Sequence, residues 1–176
     1  MKHISLPKKF IVEEEEKGHK AKVVIEPCFP GYGVTLGNAL RRVLLSSLPG
    51  GAVTAIKVDG VNHEFSTIDN VSEDVVEIIL NLKQLRVKVY SDEPVVLKLT
   101  AKGEGKITGA DVDKSSDAEI INKDQIIATL TSKDAKLNME IIVAKGIGYV
   151  PSEEQKDSRE KGEIGVILID SIFTPV

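Results

Sequence analysis

The chain has no tryptophan, one cysteine, three histidines and 4% aromatic residues in 176 positions. Each scarcity excludes something. A single cysteine, Cys28, rules out an internal disulfide and suits a reducing compartment. Its ordinary role is that of a small buried or half-buried apolar side chain. His3, His19 and His63 are scattered without ligand spacing, so no zinc or other metal site is expected. No run of about 20 apolar residues exists to span a membrane. The N-terminus leads into charge rather than an apolar signal core, so a cytoplasmic location is expected. A net charge of -4 gives no hint of nucleic-acid affinity. With so few aromatics, the core has to be aliphatic.

What is present divides into two styles. Phe10-Ile11-Val12 and Ala21–Glu26 read as the strands of a hairpin, joined by a charged turn over Glu13–Lys20. The Glu13–Glu16 run reads as solvent-facing. Pro27 and Pro30 stiffen the exit. A glycine-rich turn, Gly31-x-Gly33-x-x-x-Gly37, then enters a short helix that Pro49-Gly50-Gly51 stops, with Thr35 as its expected N-cap. Leu36, Leu40, Val43, Leu44 and Ser47 fall at helical spacing on one face, and Leu45 and Leu48 are read as flanking it.

After Gly51 the pattern changes to period two. Val53–Val58 alternates into the turn Asp59-Gly60. A second helix is expected with Ser72 as N-cap, Glu73 and Asp74 favouring its positive end, and Val75, Val76, Ile79 and Leu82 at helical spacing. Strands are expected at 86–90, 95–100, 125–130, 136–143 and 164–171. Val95, Leu97 and Leu99 share one face, and Leu137, Met139 and Ile141 another. Gly103-Glu104-Gly105 and Gly146-Ile147-Gly148 read as strand-end turns. Pro151–Glu163 has no apolar side chain other than its proline and reads as an exposed loop. The fold class is α+β: a hairpin-plus-helix unit, then a mostly antiparallel β-rich body with one main helix.

Two features invite a chemical role. Gly31, Gly33 and Gly37 lie between strand and helix, where free amides favour an anion. The spacing does not fit a dinucleotide fingerprint, no Gly-Lys-Ser/Thr follows, and the chain lacks alternating βα units. A nucleotide-binding enzyme is therefore the alternative reading. No carboxylate pair, nucleophile–base pair or cofactor site is evident, so no catalytic residue and no cofactor are expected. Arg41-Arg42, on so apolar a helix, either reaches out to water or meets a protein partner.

The run Gly33-x-Thr35-Leu36-Gly37-Asn38-Ala39-Leu40-Arg41-Arg42-x-Leu44-Leu45-Ser46-Ser47 resembles the signature of the RNA polymerase alpha-subunit family, bacterial or chloroplast type. Asp59-Gly60-Val61-x-His63-Glu64-Phe65-Ser66-Thr67, Glu73-Asp74-x-x-Glu77-Ile78-x-Leu80-Asn81-Leu82-Lys83 and Gly146-x-Gly148-Tyr149-Val150-Pro151 continue in register. The resemblance covers essentially the whole chain. It implies that residues 1–50 are the first part of a discontinuous dimerisation domain, with its closing segment absent. Residues 51–176 would be an inserted β-rich domain.

By the same resemblance, two copies pair through Leu36, Leu40, Val43, Leu44 and Ser47. The resemblance further implies that Arg41, Arg42 and Leu45 contact the beta subunit. It also implies a homodimer that nucleates assembly of the beta and beta-prime subunits into a DNA-directed RNA polymerase. The catalytic magnesium belongs to beta-prime, so the implied role is a non-catalytic scaffold within a nucleotidyltransferase complex. The chain ends roughly where the inserted domain should return, so it is expected to be a truncated piece. Direct DNA binding is not expected of it. Burying one Leu or Ile contributes about 1.5–3 kcal/mol. A solvated Leu36–Leu48 helix is therefore expected to hide in a shortened or non-native dimer, or to be partly disordered.

Overall fold

The computed structural model describes residues 6–16, 20–158 and 165–176. It divides into two compact units, Met1–Leu44 and Leu45–Val176. Helices and antiparallel sheets are mixed, as the α+β reading expects.

In the first unit, β1 (Lys9–Glu16) and β2 (Lys20–Glu26) form an antiparallel hairpin. Phe10 lies opposite Ile25, Val12 opposite Val23, and Glu13 opposite Lys22, with a bulge between Glu14 and Glu16. Glu13–Glu16 thus belong to the strand rather than to a turn, and cross-strand lysines account for it. Lys22 lies 3.6 Å from Glu13, and Lys20 lies 2.6 Å from Glu15. The turn residues 17–19, His19 among them, lie outside the described residues, as does His3. Cys28 is exposed, against the expectation of burial; its Sγ donates to the Ile25 carbonyl at 3.4 Å. The helix α1 (Tyr32–Ser46) begins earlier than the Thr35 cap would place it. Its entry is a backbone turn in which Gly31 takes φ +83° and the Tyr32 amide donates to the Phe29 carbonyl at 2.9 Å. Thr35 is therefore already inside the helix.

The second unit is built on β3 (Pro49–Val58). In chain order follow α2 (Val75–Leu82), β4 (Val87–Val89), β5 (Val95–Lys102), β6 (Gly105–Thr108) and β7 (Ala118–Ile120). Then come β8 (Ile126–Leu130), β9 (Lys136–Ile147), β10 (Tyr149–Val150), α3 (Ser152–Ser158), β11 (Val166–Leu168) and β12 (Ser171–Ile172). The main sheet runs β5-β9-β3-β4-β7, with β11 also on β3. β3 pairs with β9 along its length, from Pro49 opposite Ile147 to Val58 opposite Met139. On its other edge it pairs with β4 at Gly51 and with β11 at Ala55–Lys57. The register shifts between Val53 and Ala55, so Thr54 is the extra residue of a bulge. A bulge bends and twists a strand, and here it falls between the two pairing segments on that edge.

Ala52–Ile56 are buried without a break. The expected alternation fails there because β3 has strands on both edges and packing on both faces. Alternation holds in β5 and β9, where Leu97 and Leu99, and Leu137, Met139, Ile141 and Val143, are buried. The α2 helix buries Val75, Ile78 and Leu82. Its cap is Asp74, which accepts the Glu77 amide at 2.7 Å, and not Ser72. Ser72 lies in a bend two residues before that cap, its amide donating to the Thr129 carbonyl at 2.9 Å. Glu73 ties the helix start to β8 by accepting from the Thr129 amide at 2.6 Å and the Thr129 hydroxyl at 2.9 Å. Pro151–Glu163 is likewise not simply a loop, since Ser152–Ser158 is helical; residues 159–163 lie outside the description.

Three glycines have packing roles rather than the punctuation read from the sequence. Gly50 and Gly146 face each other across β3 and β9. A Cβ on Gly50 would strike the Phe173 carbonyl, and one on Gly146 would meet the Phe173 ring at 2.8 Å. On Gly51 it would lie 2.5 Å from the Val87 carbonyl oxygen. Because that obstacle is backbone, Gly51→Ala is expected to lower the urea midpoint by the equivalent of about 1–3 kcal/mol. An unchanged midpoint would show that β3 and β4 are not held this close.

Candidate assembly surface

None of the residues of α1 is buried within the chain. Leu40 is 47% exposed, Val43 50%, Leu44 42% and Leu45 43%, while Leu36 is half-buried. At about 100° per residue, Leu36, Leu40, Val43 and Leu44 fall in an arc of about 100°. Arg41, Arg42 and Leu45 fall in a second arc nearly opposite. Leu45 therefore does not flank the leucine face; it sits with the arginines, whose aliphatic stems can extend its apolar surface. Ser47 lies in the turn just beyond the helix. The structure thus sorts the candidate residues onto two sides of one exposed rod.

A second surface was hidden in the sequence. On the hairpin, Phe10, Val12, Val23 and Ile25 share a face, because directly opposed residues point the same way and faces alternate with period two. Phe10, Val12 and Val23 are exposed and Ile25 is half-buried. The signal was the Phe10-x-Val12 and Val23-x-Ile25 spacing. A lone two-stranded hairpin is marginal in water, so this face needs cover.

The glycine turn does not assemble a phosphate cradle. Gly33 and Gly37 are inside α1, and only Gly31 lies before it with a positive φ. In the second unit, an open groove of about 750 Å³ is lined by Lys83, Arg86, Lys88 and Lys145 together with Ile172 and Phe173. Lys83 lies 3.8 Å from Asp170 and Lys145 lies 3.2 Å from Asp92, while the Lys88 ammonium sits 5.2 Å from the Tyr90 ring centre. The groove is broad and basic, which suits an acidic surface better than an enclosed small molecule. Among the described residues, no cluster of three or more His, Cys, Asp or Glu is arranged to hold a metal, and no helix is long and apolar enough to cross a membrane.

The extended run of residues 56–174 matches the family model described as the RNA polymerase Rpb3/RpoA insert domain. The DNA-directed RNA polymerase subunit alpha of Desulforudis audaxviator is 55% identical over all 176 residues of this chain, which cover 55% of that relative. The counterpart from Oceanobacillus iheyensis is 54% identical over the same 176 residues and 55% of its own length. That from Symbiobacterium thermophilum is 54% identical over 170 residues, 97% of this chain and 53% of the relative.

The chain belongs to the RNA polymerase alpha-subunit family.

It spans about half the length of the curated alpha subunits it matches. Membership agrees with the ordered motif blocks, and nothing in the geometry or the relatives favours a nucleotide site at Gly31–Gly37. In this alpha-family chain, a Cβ on Gly37 meets nothing within 4 Å. Gly37→Ala is therefore expected to stabilise α1 by about 0.5–1 kcal/mol, from helix propensity alone. Circular dichroism melts would show it. In the same melts, a millimolar nucleoside triphosphate or dinucleotide should leave the midpoint unmoved; a ligand-dependent shift abolished by Gly37→Ala would restore the cradle reading.

Proposed function

We propose that this chain is the N-terminal part of a non-catalytic scaffold subunit of DNA-directed RNA polymerase, working in the cytoplasm. It pairs with a second copy and nucleates assembly of the beta and beta-prime subunits, and the complex, not this subunit, performs nucleotidyl transfer. Residues 1–50 are its share of the dimerisation domain and residues 51–176 the inserted domain. The observation that carries this reading is the exposed α1 helix with two opposed faces, in a chain 55% identical to an alpha subunit.

The physical logic is that of an interface awaiting a partner. Fully burying a Leu or Val contributes about 1.5–3 kcal/mol, and the first-face residues, already partly covered, have roughly half of that each still to gain from a partner. Leu36, Leu40, Val43 and Leu44 suit self-association, with Ser47 at the end of that contact. Arg41, Arg42 and Leu45 suit a different partner, since arginine combines stacking, packing and bidentate pairing with carboxylates. We assign that face to the beta subunit, with Arg42 ahead of Arg41. Two partners on opposite sides of one helix can be held at once, as a scaffold requires.

Separating the faces tests the assignment. In full-length alpha, Arg42→Ala should weaken capture of beta by tenfold or more while the alpha dimer persists in analytical ultracentrifugation. Leu40→Glu should dissociate the dimer. If Arg42→Ala protein captures beta normally, the beta assignment fails. If Leu40→Glu protein remains dimeric, the first face is not the dimer contact.

A further inference from the structure

The α3 helix has only seven residues, Ser152–Ser158, with sequence Ser-Glu-Glu-Gln-Lys-Asp-Ser. It offers no apolar side chain to a core, and an isolated helix of this length does not persist in water. Its docking rests on polar contacts. Asp170, between β11 and β12, accepts the Ser152 amide at 2.9 Å. One turn on, Gln155 is 8% exposed, and its Nε2 donates to the Ile169 carbonyl at 2.9 Å and the Ser171 hydroxyl at 3.1 Å. Ser171 is buried, and its Oγ lies 2.8 Å from the Val53 carbonyl to which it donates. A continuous line of hydrogen bonds thus runs from α3 to the bulge of β3.

Among the described residues, the groups that act on Asp170 come from α3, α2 and β10. They are the Ser152 amide and hydroxyl of α3, the Lys83 ammonium at the end of α2, and Tyr149 of β10. The Ser152 amide bond is the largest influence and holds the carboxyl below its ordinary value, with partial burial opposing and Lys83 assisting.

We propose that α3 is a polar latch: a helix folded only while docked, held at Asp170 and Gln155, that releases as a unit and leaves the β3–β9 pairing intact. Release opens the Ile169 carbonyl, the Ser171 hydroxyl and the bulge behind them to water. The device has a direction in pH. A carboxylate whose value is lowered in the folded state contributes stability that is present above the ordinary aspartate value of about 3.9. That contribution is lost as pH falls through the lowered value, so the hold of Asp170 on α3 is present at neutral pH and weakens in acid, while the Gln155 bonds remain.

Amide hydrogen exchange of this chain, read by mass spectrometry at neutral pH, tests it. Asp170→Ala and Gln155→Ala should each speed exchange across residues 152–158 by on the order of tenfold, the effect of losing one hydrogen bond to a charged or buried group. Amides in β3 and β9 should keep wild-type rates. Wild-type exchange at 152–158 in Asp170→Ala would overturn the proposal. So would acceleration spread equally over β3 and β9, which would make Asp170 a prop of the whole sheet.

Discussion

The antiparallel pairing of β3 with β9 is the constraint from which the larger unit follows. It joins the strand that opens the unit to one near its end, and most other elements attach to this pair. β5 extends it on the β9 side, β4 and β11 share the other edge of β3, and Ser171 reaches the carbonyl exposed at the bulge. Around one end of the pair Phe173 lies so close to Gly50 and Gly146, and the Val87 backbone of β4 so close to Gly51, that no side chain fits at these three positions. Tight backbone contact at one end and a bulge in the middle together set where everything else can dock.

The smaller unit obeys the opposite rule. Its helix and hairpin leave their apolar faces largely open, and its side-chain ion pairs, Lys20 with Glu15 and Lys22 with Glu13, are solvent-exposed and contribute little. Apolar area is what such a unit has to offer a partner. The two units thus differ in kind: the larger buries an aliphatic core of its own, whereas the smaller leaves most of its apolar side chains exposed.

Much of this was legible in the residues, where one physical rule dominated. Leu137, Met139 and Ile141 alternate because one face of β9 is core, and the pattern survives folding. The leucine face of α1 was readable from spacing, whereas the opposition of Leu45 to it needed the angular geometry. Where tertiary contacts outbid local preference, reading failed. Ser72 is a good cap by type, yet its backbone is taken by Thr129 and Asp74 caps instead. The helix α3 has no apolar stripe to reveal it, because Asp170 and Gln155 replace hydrophobic anchoring. Gly146 reads as a turn residue, and only the ring of Phe173 above it shows why a side chain is excluded.

The β3–β9 pairing also has a consequence for how the chain is made. Val58 and its partner Met139 are separated by most of the unit's sequence. At synthesis rates of about 5–20 residues per second, β3 leaves the ribosome several seconds or more before β9 exists. Through that interval the apolar run Ala52–Ile56 has no lasting partner, and closing so long a loop makes its capture slow. The strand on which the finished unit is built is thus the one most exposed to misassociation during biosynthesis.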